Sequence, residues 1–324
     1  MTFKIQEMRD RFQKYGTIYV PEDIKENVSD IIGLEDKKEM MEDFFLSLHK
    51  YIDLAPRLKE AKIIPNFTML LYGPPGTGKT ALTRAMAKKH QIPMGLVEAD
   101  RLVSPLLGDT VKNIRGVFDL AVEFTKENGV FVLFFDEIDA ITGERANAHE
   151  VGEIKRAVIS FLQIIDHISY ESIPLAIFGA TNHENQLDSA VWRRFTYHLS
   201  FPFPNFIIRK EIIESFLNRI KKASISIDPQ LSSSLETEFK WLYEHYSSLK
   251  KNLGRDLNDE EYYSIFREAK KQNRDGLLYL TLGYTGADLM RAIRVALFKA
   301  LKKNELTYED YVRSLEVCGG TETH

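Results

Sequence analysis

Residues 73–80 read Gly-Pro-Pro-Gly-Thr-Gly-Lys-Thr, set between the apolar run Thr68-Met69-Leu70-Leu71-Tyr72 and a segment, 81–90, whose Leu82, Ala85 and Met86 recur at helical spacing. Strand, glycine-rich loop and helix in that order form a phosphate-binding loop; the motif alone is only a pattern. The glycines let the backbone wrap an anion so that its N–H groups and the helix N-terminus point inward. Pro75, Gly76, Thr77 and Gly78 are therefore expected around the phosphates, with Ala81 opening the helix. The Lys79 ammonium is expected on the β- and γ-phosphates, and the Thr80 hydroxyl as a ligand for Mg²⁺.

Outward from this loop, short apolar runs alternate with helical patterns from about 65 to 201. Strands are predicted at 69–72, 94–98, 130–135, 175–180 and 197–200, with helices near 79–90, 109–127 and 150–168. Alternation of this kind predicts an α/β fold with a parallel sheet covered on both faces, and the uniformly apolar 130–135 run suits a central strand. Ligands of such sheets bind at the carboxyl ends of strands. The loop at 73–80, the acidic pair after 135 and Asn182 each follow a strand directly, so they are expected on one edge.

From Ile207 onward no strand pattern is found, and helices are predicted at 206–222, 231–250, 259–274, 286–303 and 307–315. The expected organisation is an N-terminal arm (1–27), an α/β nucleotide-binding domain (28–204), an α-helical lid domain (205–318) and a disordered tail (319–324). In the arm, Phe3, Ile5, Met8, Phe12 and Tyr15 fall near one helical face over 1–20. That face either packs on the protein's own body or docks a partner.

In Val132-Leu133-Phe134-Phe135-Asp136-Glu137 an apolar strand runs into two adjacent carboxylates. Asp136 is expected at the metal, and Glu137 is placed to polarise the water that attacks a γ-phosphate. Surface Asp-Glu pairs are mostly solvated; downstream of a phosphate loop and at a strand end, the pair acquires this meaning.

Together the loop at 73–80, Asp-Glu-Ile-Asp-Ala-Ile (136–141), Gly-Ala-Thr-Asn (179–182) and Trp-Arg-Arg-Phe (192–195) resemble the AAA+ ATPases. The chain is most similar to the AAA protein-remodelling group that includes katanin, spastin, fidgetin and the ESCRT-disassembly ATPases. The resemblance runs from Val28–Leu34 to Gly283–Leu289 and on through the C-terminal helix. It implies ATP as substrate with Mg²⁺. It also implies that Asp30, Ile31, Ile32 and Gly33 cup the adenine while Gly286 and Ala287 close its other side. Asn182 matches the position that orients the attacking water. Arg193 and Arg194 match paired fingers that reach the neighbouring subunit's γ-phosphate, a task suited to a planar, always-charged fork. Fingers acting in trans imply self-assembly into a ring, usually a hexamer.

Two departures stand out. At the family's first pore loop (102–109), where an aromatic residue usually grips a threaded polypeptide, this chain has Leu106 and Leu107 as the candidate substrate contacts. The lid also carries extra sequence, about 223–282. Its Phe239, Trp241, Tyr243 and Tyr246, and its Tyr262, Tyr263 and Phe266, sit at helical spacing. Aromatics so spaced are read first as core, and a partner-binding insertion is the other reading. The expected function is thus an ATP-dependent ring that remodels or disassembles a protein partner. The rivals are a non-threading ATP-gated switch that recruits an effector, and a nucleic-acid motor or loader.

Composition narrows these classes. A formal net charge of −4 gives no sign of a nucleic-acid-binding surface. One cysteine, Cys318, excludes an intramolecular disulfide framework and fits a cytoplasmic setting. No apolar stretch reaches the ~20 residues that span a bilayer. The N-terminal residues lack the apolar core of a signal peptide.

Overall fold

The computed structural model describes residues 2–63, 65–103, 108–142, 151–171 and 173–321. It divides into two compact units: Met1–Gly73 with Gly78–Phe201, and Pro74–Thr77 with Pro202–His324.

In the first unit the elements follow as α1 (Thr2–Phe12), β1 (Gly16–Tyr19), α2 (Glu35–Glu60), β2 (Thr68–Tyr72), α3 (Lys79–Lys89), β3 (Met94–Glu98) and α4 (Asp109–Asn128). After them come β4 (Phe131–Asp136), α5 (Asp139–Thr142), α6 (Val151–Tyr170), β5 (Leu175–Thr181), α7 (Ser189–Trp192) and β6 (Tyr197–Ser200). The sheet is six-stranded in the order β1-β3-β4-β5-β2-β6. Every pairing in it is parallel except β1 with β3.

Side chains alternate across a strand, and this sheet uses both faces. Leu70, Leu133, Phe135 and Ile177 join one core with residues of α4 and α6, among them Phe118 and Phe161. Met69, Leu71, Val132, Phe134 and Phe178 join the other, with Met41, Phe44, Phe45 and Leu48 of α2 and Leu82 and Met86 of α3. That is why the central strands read as continuous apolar runs.

The N-terminal segment packs on its own body. Met8, Phe12, Tyr15 and Ile18 are buried in the first of these cores, and Arg11 pairs with Glu123 of α4 through two hydrogen bonds of 2.6 and 2.7 Å. At roughly 2 kcal/mol per buried side chain, burial outweighs the reluctance of so short a helix to form alone. The helix expected over 1–20 ends at Phe12, because Gly16-Thr17-Ile18-Tyr19 instead pairs with Met94–Val97 as an edge strand.

The second unit holds α8 (Phe206–Lys222), β7 (Ser226–Ile227), α9 (Pro229–Leu253), α10 (Asp259–Lys271), α11 (Leu277–Leu280), α12 (Gly286–Lys303), β8 (Glu305–Leu306) and α13 (Tyr308–Cys318). One expectation is corrected here: β7 and β8 form a parallel pair, two residues each, too short for any alternation to register in the sequence. The extra segment packs into the unit's own core. Leu231, Leu235, Leu242, Ile265 and Phe266 are buried there, and Phe239, Trp241, Tyr246 and Tyr262 lie against them. Tyr243 stays exposed.

Arg209 of α8, 1% exposed, ties this segment down. Its guanidinium donates to the carbonyls of Pro204 (2.8 Å) and Leu278 (3.2 Å) and to the Thr281 hydroxyl (3.2 Å), and lies 5.5 Å from the centre of the Phe266 ring. Arg209→Met would take a donor from the half-buried Pro204 carbonyl and leave the Leu278 carbonyl only the Thr281 hydroxyl at 3.4 Å, and should destabilise this unit by about 1–3 kcal/mol. Urea unfolding followed by Trp241 fluorescence in a Trp192→Phe background measures this; a loss under about 0.5 kcal/mol, typical of a surface substitution, would refute the bracing role.

The tail is also corrected in part. Gly319–Thr321 are ordered by contacts to α12: the Thr321 backbone N–H and hydroxyl donate to Asp288 at 2.9 and 2.7 Å.

Candidate active site

Because β4, β5 and β2 are adjacent and parallel, their carboxyl ends deliver Asp136, Thr181-Asn182 and the phosphate loop to one edge of the sheet. Gly73, Gly76 and Gly78 take φ values of 134°, 76° and 103°, the left-handed region that a Cβ disfavours. Lys79 is the first residue of α3 and only 7% exposed. Its ammonium donates to the Gly73 carbonyl at 2.6 Å and to Asn182 Oδ1 at 2.8 Å. The Thr80 hydroxyl faces Asp136 Oδ2 at 3.4 Å.

Burial decides the electrostatics. It pushes the Lys79 pKa down to about 8, against the pull of Asp136 and Asp139, which favour the charged form. Burial also pushes the Asp136 pKa up, with the Glu137 backbone N–H, the Thr80 hydroxyl and Lys79 opposing it. A cation already stripped of water gains more from an arriving phosphate than a solvated one would.

The sign of the pH effect follows. The phosphate favours protonated Lys79, so above pH 8 binding must first take up the missing proton. Nucleotide affinity should be flat below about pH 7 and fall toward tenfold per unit above pH 9. Calorimetry at pH 8 in buffers of different ionisation enthalpy should show about half a proton taken up. No uptake between pH 7 and 9 would show that Lys79 is already fully protonated there before nucleotide binds, and that burial does not lower its pKa to this range.

Glu137 is exposed, with φ at 53°, a left-handed backbone unusual for a non-glycine residue. It is held there by bonds on both sides: the Ile138 N–H donates to the Ala180 carbonyl (2.9 Å), and the Ala140 N–H to the Glu137 carbonyl (2.9 Å). The turn throws the Glu137 side chain out beyond the buried end of β4, where it has no hydrogen bond to a described residue. Asp139 accepts from the Thr181 hydroxyl at 2.6 Å, and that hydroxyl accepts from the His183 N–H at 2.9 Å. Asn182 is thus bracketed by two anchored neighbours, and the bond between Asp139 of α5 and Thr181 of β5 is a pairing that sequence reasoning missed, although both residues lie within its motifs.

The segment at 30–33 lies in the same unit. Asp30 uses its carboxylate on its own turn, accepting from the Asn27 backbone (3.0 Å) and side chain (2.8 Å). Ile31 and Ile32 are half-buried, Gly33 has φ 74°, and the turn packs against α3. A Cβ at Gly78 would sit 3.7 Å from Leu34, so this stretch runs beside the phosphate loop.

Arg193 and Arg194 follow α7, whose first turn is capped by Asp188. The backbone is pinned: the Arg194 carbonyl accepts from Asn66 (3.1 Å) and Thr68 (2.9 Å), and Phe195 is buried. The side chains point outward. Arg193 is exposed and has no ion pair among the described residues, while Arg194 meets Asp166 at 3.2–3.3 Å.

In the second unit, the loop's crown, Pro74–Thr77, meets the start of α12. The Ala287 N–H donates to the Gly76 carbonyl at 3.2 Å, and Gly286 lies against the same oxygen. A Cβ at Gly76 would come within 2.7 Å of both Ala287 Cβ and Thr285 Oγ1, so only glycine fits. Leu106 and Leu107 lie outside the described residues.

For Mg²⁺ the donor set fits. The described residues contain no cluster of three His, Cys, Asp or Glu side chains that would enclose an ion. Mg²⁺ instead binds through one or two carboxylates, retained waters and substrate phosphates, and Thr80 and Asp136 offer hard oxygens side by side. Among the described residues no helix is long and apolar enough to cross a membrane.

Residues 69–203 match the model of the ATPase family associated with various cellular activities (AAA). Over 212 residues the chain is 35% identical to the 26S proteasome regulatory subunit 6A of Encephalitozoon cuniculi, a match covering 63% of this chain and 51% of that one. Over 202 residues it is 36% identical to a probable spastin homolog of Brugia malayi, covering 62% and 42%. The chain therefore spans about half the length of the curated relatives it matches. The crystal structure of the FIGL-1 AAA domain in complex with ADP has the same fold, with a TM-score of 0.60 at 21% identity over 94% of this chain and 88% of that one.

Proposed function

We propose, from the premise that this chain carries an AAA ATPase domain, that it hydrolyses ATP with Mg²⁺ in a self-assembled ring and uses the turnover to remodel a protein partner. The observation that carries this reading is the meeting of Lys79, Asn182, Thr80 and Asp136 at one sheet edge, with Glu137 the next residue.

In this reading Lys79 exchanges the Gly73 carbonyl and Asn182 for β- and γ-phosphate oxygens. Asn182, released, accepts from the attacking water. Glu137 takes the water's proton as its oxygen bonds to the γ-phosphorus and the bond to the ADP oxygen breaks. Thr80 and Asp136 hold Mg²⁺, which when bound neutralises the phosphate charge. Asp30, Ile31, Ile32 and Gly33 are proposed adenine contacts, as are Gly286 and Ala287. Arg193 and Arg194 serve the next subunit, consistent with their outward direction. Leu106 and Leu107 are the proposed grip on the partner. The extra lid segment packs into its own core, which withdraws one motive for the switch reading.

ATP turnover titrated against chain concentration, together with unfolding of a tagged, folded reporter protein, tests both halves. Turnover should rise more steeply than linearly as rings form, and the reporter should lose structure only with ATP. Hydrolysis independent of concentration would sink the ring, and hydrolysis without loss of reporter structure would favour the switch.

A further inference from the structure

We infer that the C-terminal turn Cys318–Thr321 is a clasp that positions Gly286 and Ala287 against the phosphate loop, making Thr321 and Arg291 positioning residues for nucleotide binding. The inference rests on the proposed nucleotide site and adds to it a control from outside that site.

Asp288, in the first turn of α12, is 5% exposed. Its Oδ2 accepts from the Thr285 N–H (3.0 Å) and hydroxyl (2.9 Å), a capping box that already satisfies the helix start. The same oxygen accepts from the Thr321 N–H and hydroxyl, at 2.9 and 2.7 Å. Asp288 Oδ1 accepts from Arg291 at 3.0 Å, and Arg291 also donates to the Cys318 (2.9 Å) and Gly319 (3.2 Å) carbonyls. Just before the cap, the Tyr284 hydroxyl donates to the Leu315 carbonyl at 2.8 Å. Gly320 lies so close to that ring that a Cβ would come within 2.6 Å of it.

Capping needs none of these extra donors. The Thr321 donors arrive from 33 residues away, Arg291 links Asp288 to the Cys318 and Gly319 carbonyls, and the Tyr284–Leu315 bond secures the other end of the short turn Tyr284–Asp288. Gly76 is approached by Ala287 and by the Thr285 hydroxyl, and that hydroxyl bonds the same Asp288 oxygen that Thr321 grips. The turn held by the clasp is therefore the one that meets the phosphate loop. Its Gly286 and Ala287 have little freedom once the clasp is closed. Burial raises the Asp288 pKa, but the bonds from Thr285 and Thr321 outweigh it and hold the carboxyl below its usual range, so the acceptor stays charged.

Loss of the clasp should weaken ground-state and transition-state binding alike, raising KM while sparing kcat. Thr321→Val removes one hydroxyl bond to a carboxylate and should raise the ADP Kd and the ATP KM about tenfold, the worth of one charge-assisted bond. Thr321→Ser should restore both. Arg291→Gln, which opens the other limb, should raise Kd independently. Thr321 is exposed, so folding is expected to survive, and thermal melting of each variant checks this. Wild-type Kd in both Thr321→Val and Arg291→Gln would overturn the clasp, as would failure of Thr321→Ser to restore binding. Absence of nucleotide binding in the unaltered chain would instead overturn the site on which the inference rests.

Discussion

A Glu137→Gln chain should bind ATP about as tightly as the unaltered protein and release phosphate about 10²–10⁴-fold more slowly. The substitution leaves the fold alone, because the side chain is exposed beyond the end of β4 and its turn is held by backbone bonds of Ile138 and Ala140. It leaves the phosphate cradle alone as well, since neither Lys79 nor Thr80 uses Glu137 in its bonds to Gly73, Asn182 and Asp136. What is lost is a carboxylate able to take a proton. Equilibrium binding beside single-turnover phosphate release separates the two effects. Turnover within a few-fold of normal would give the base to another group.

For the fingers, the expected result is a chain that binds nucleotide and does almost nothing with it. Arg194→Ala should cut hydrolysis by about 10³–10⁵-fold if the guanidinium stabilises transition-state charge as arginine fingers do. In this chain Arg194 sits on Asp166, at an exposed position, so to act as a finger it would have to trade that carboxylate for a neighbour's phosphate. Mixing is the decisive measurement. Where an Arg194→Ala chain offers its Glu137 to a Glu137→Gln chain that still has Arg194, the interface is complete. Such mixtures should recover turnover that neither parent shows. Mixed assemblies that form and stay inactive would place Arg194 outside the neighbour's site.

Much of the sheet was legible because its central strands are buried on both faces: Phe131–Asp136 and Leu175–Thr181 carry no polar alternation that a helix could mimic. The first strand was not, because Gly16–Tyr19 follows directly on a helical pattern and its partner is Met94–Val97. A place at the end of the sequence made 319–321 read as part of a disordered tail; the carboxylate that holds Thr321 lies far back in the chain at Asp288, a non-local fact. At the candidate site, the motifs led to the sheet edge where Lys79, Thr80, Asp136 and Asn182 now stand within bonding distance. Hydrogen bonds between elements distant in the chain, such as Thr181 of β5 to Asp139 of α5, and the seat of Arg194 on Asp166 follow from register and helix placement, which no single segment encodes.

The antiparallel pairing of Gly16–Tyr19 with Met94–Val97 has a consequence for how the chain is made. During synthesis the first strand leaves the ribosome long before its partner, so Phe12, Tyr15 and Ile18 wait uncovered while some eighty further residues are added at about 5–20 per second. For those seconds the nascent segment is an unpaired strand beside a greasy helix, the kind of surface that pairs with the wrong neighbour. Slower elongation before Met94 should therefore lower the yield of native protein, whereas a pause placed after Val97 should be harmless.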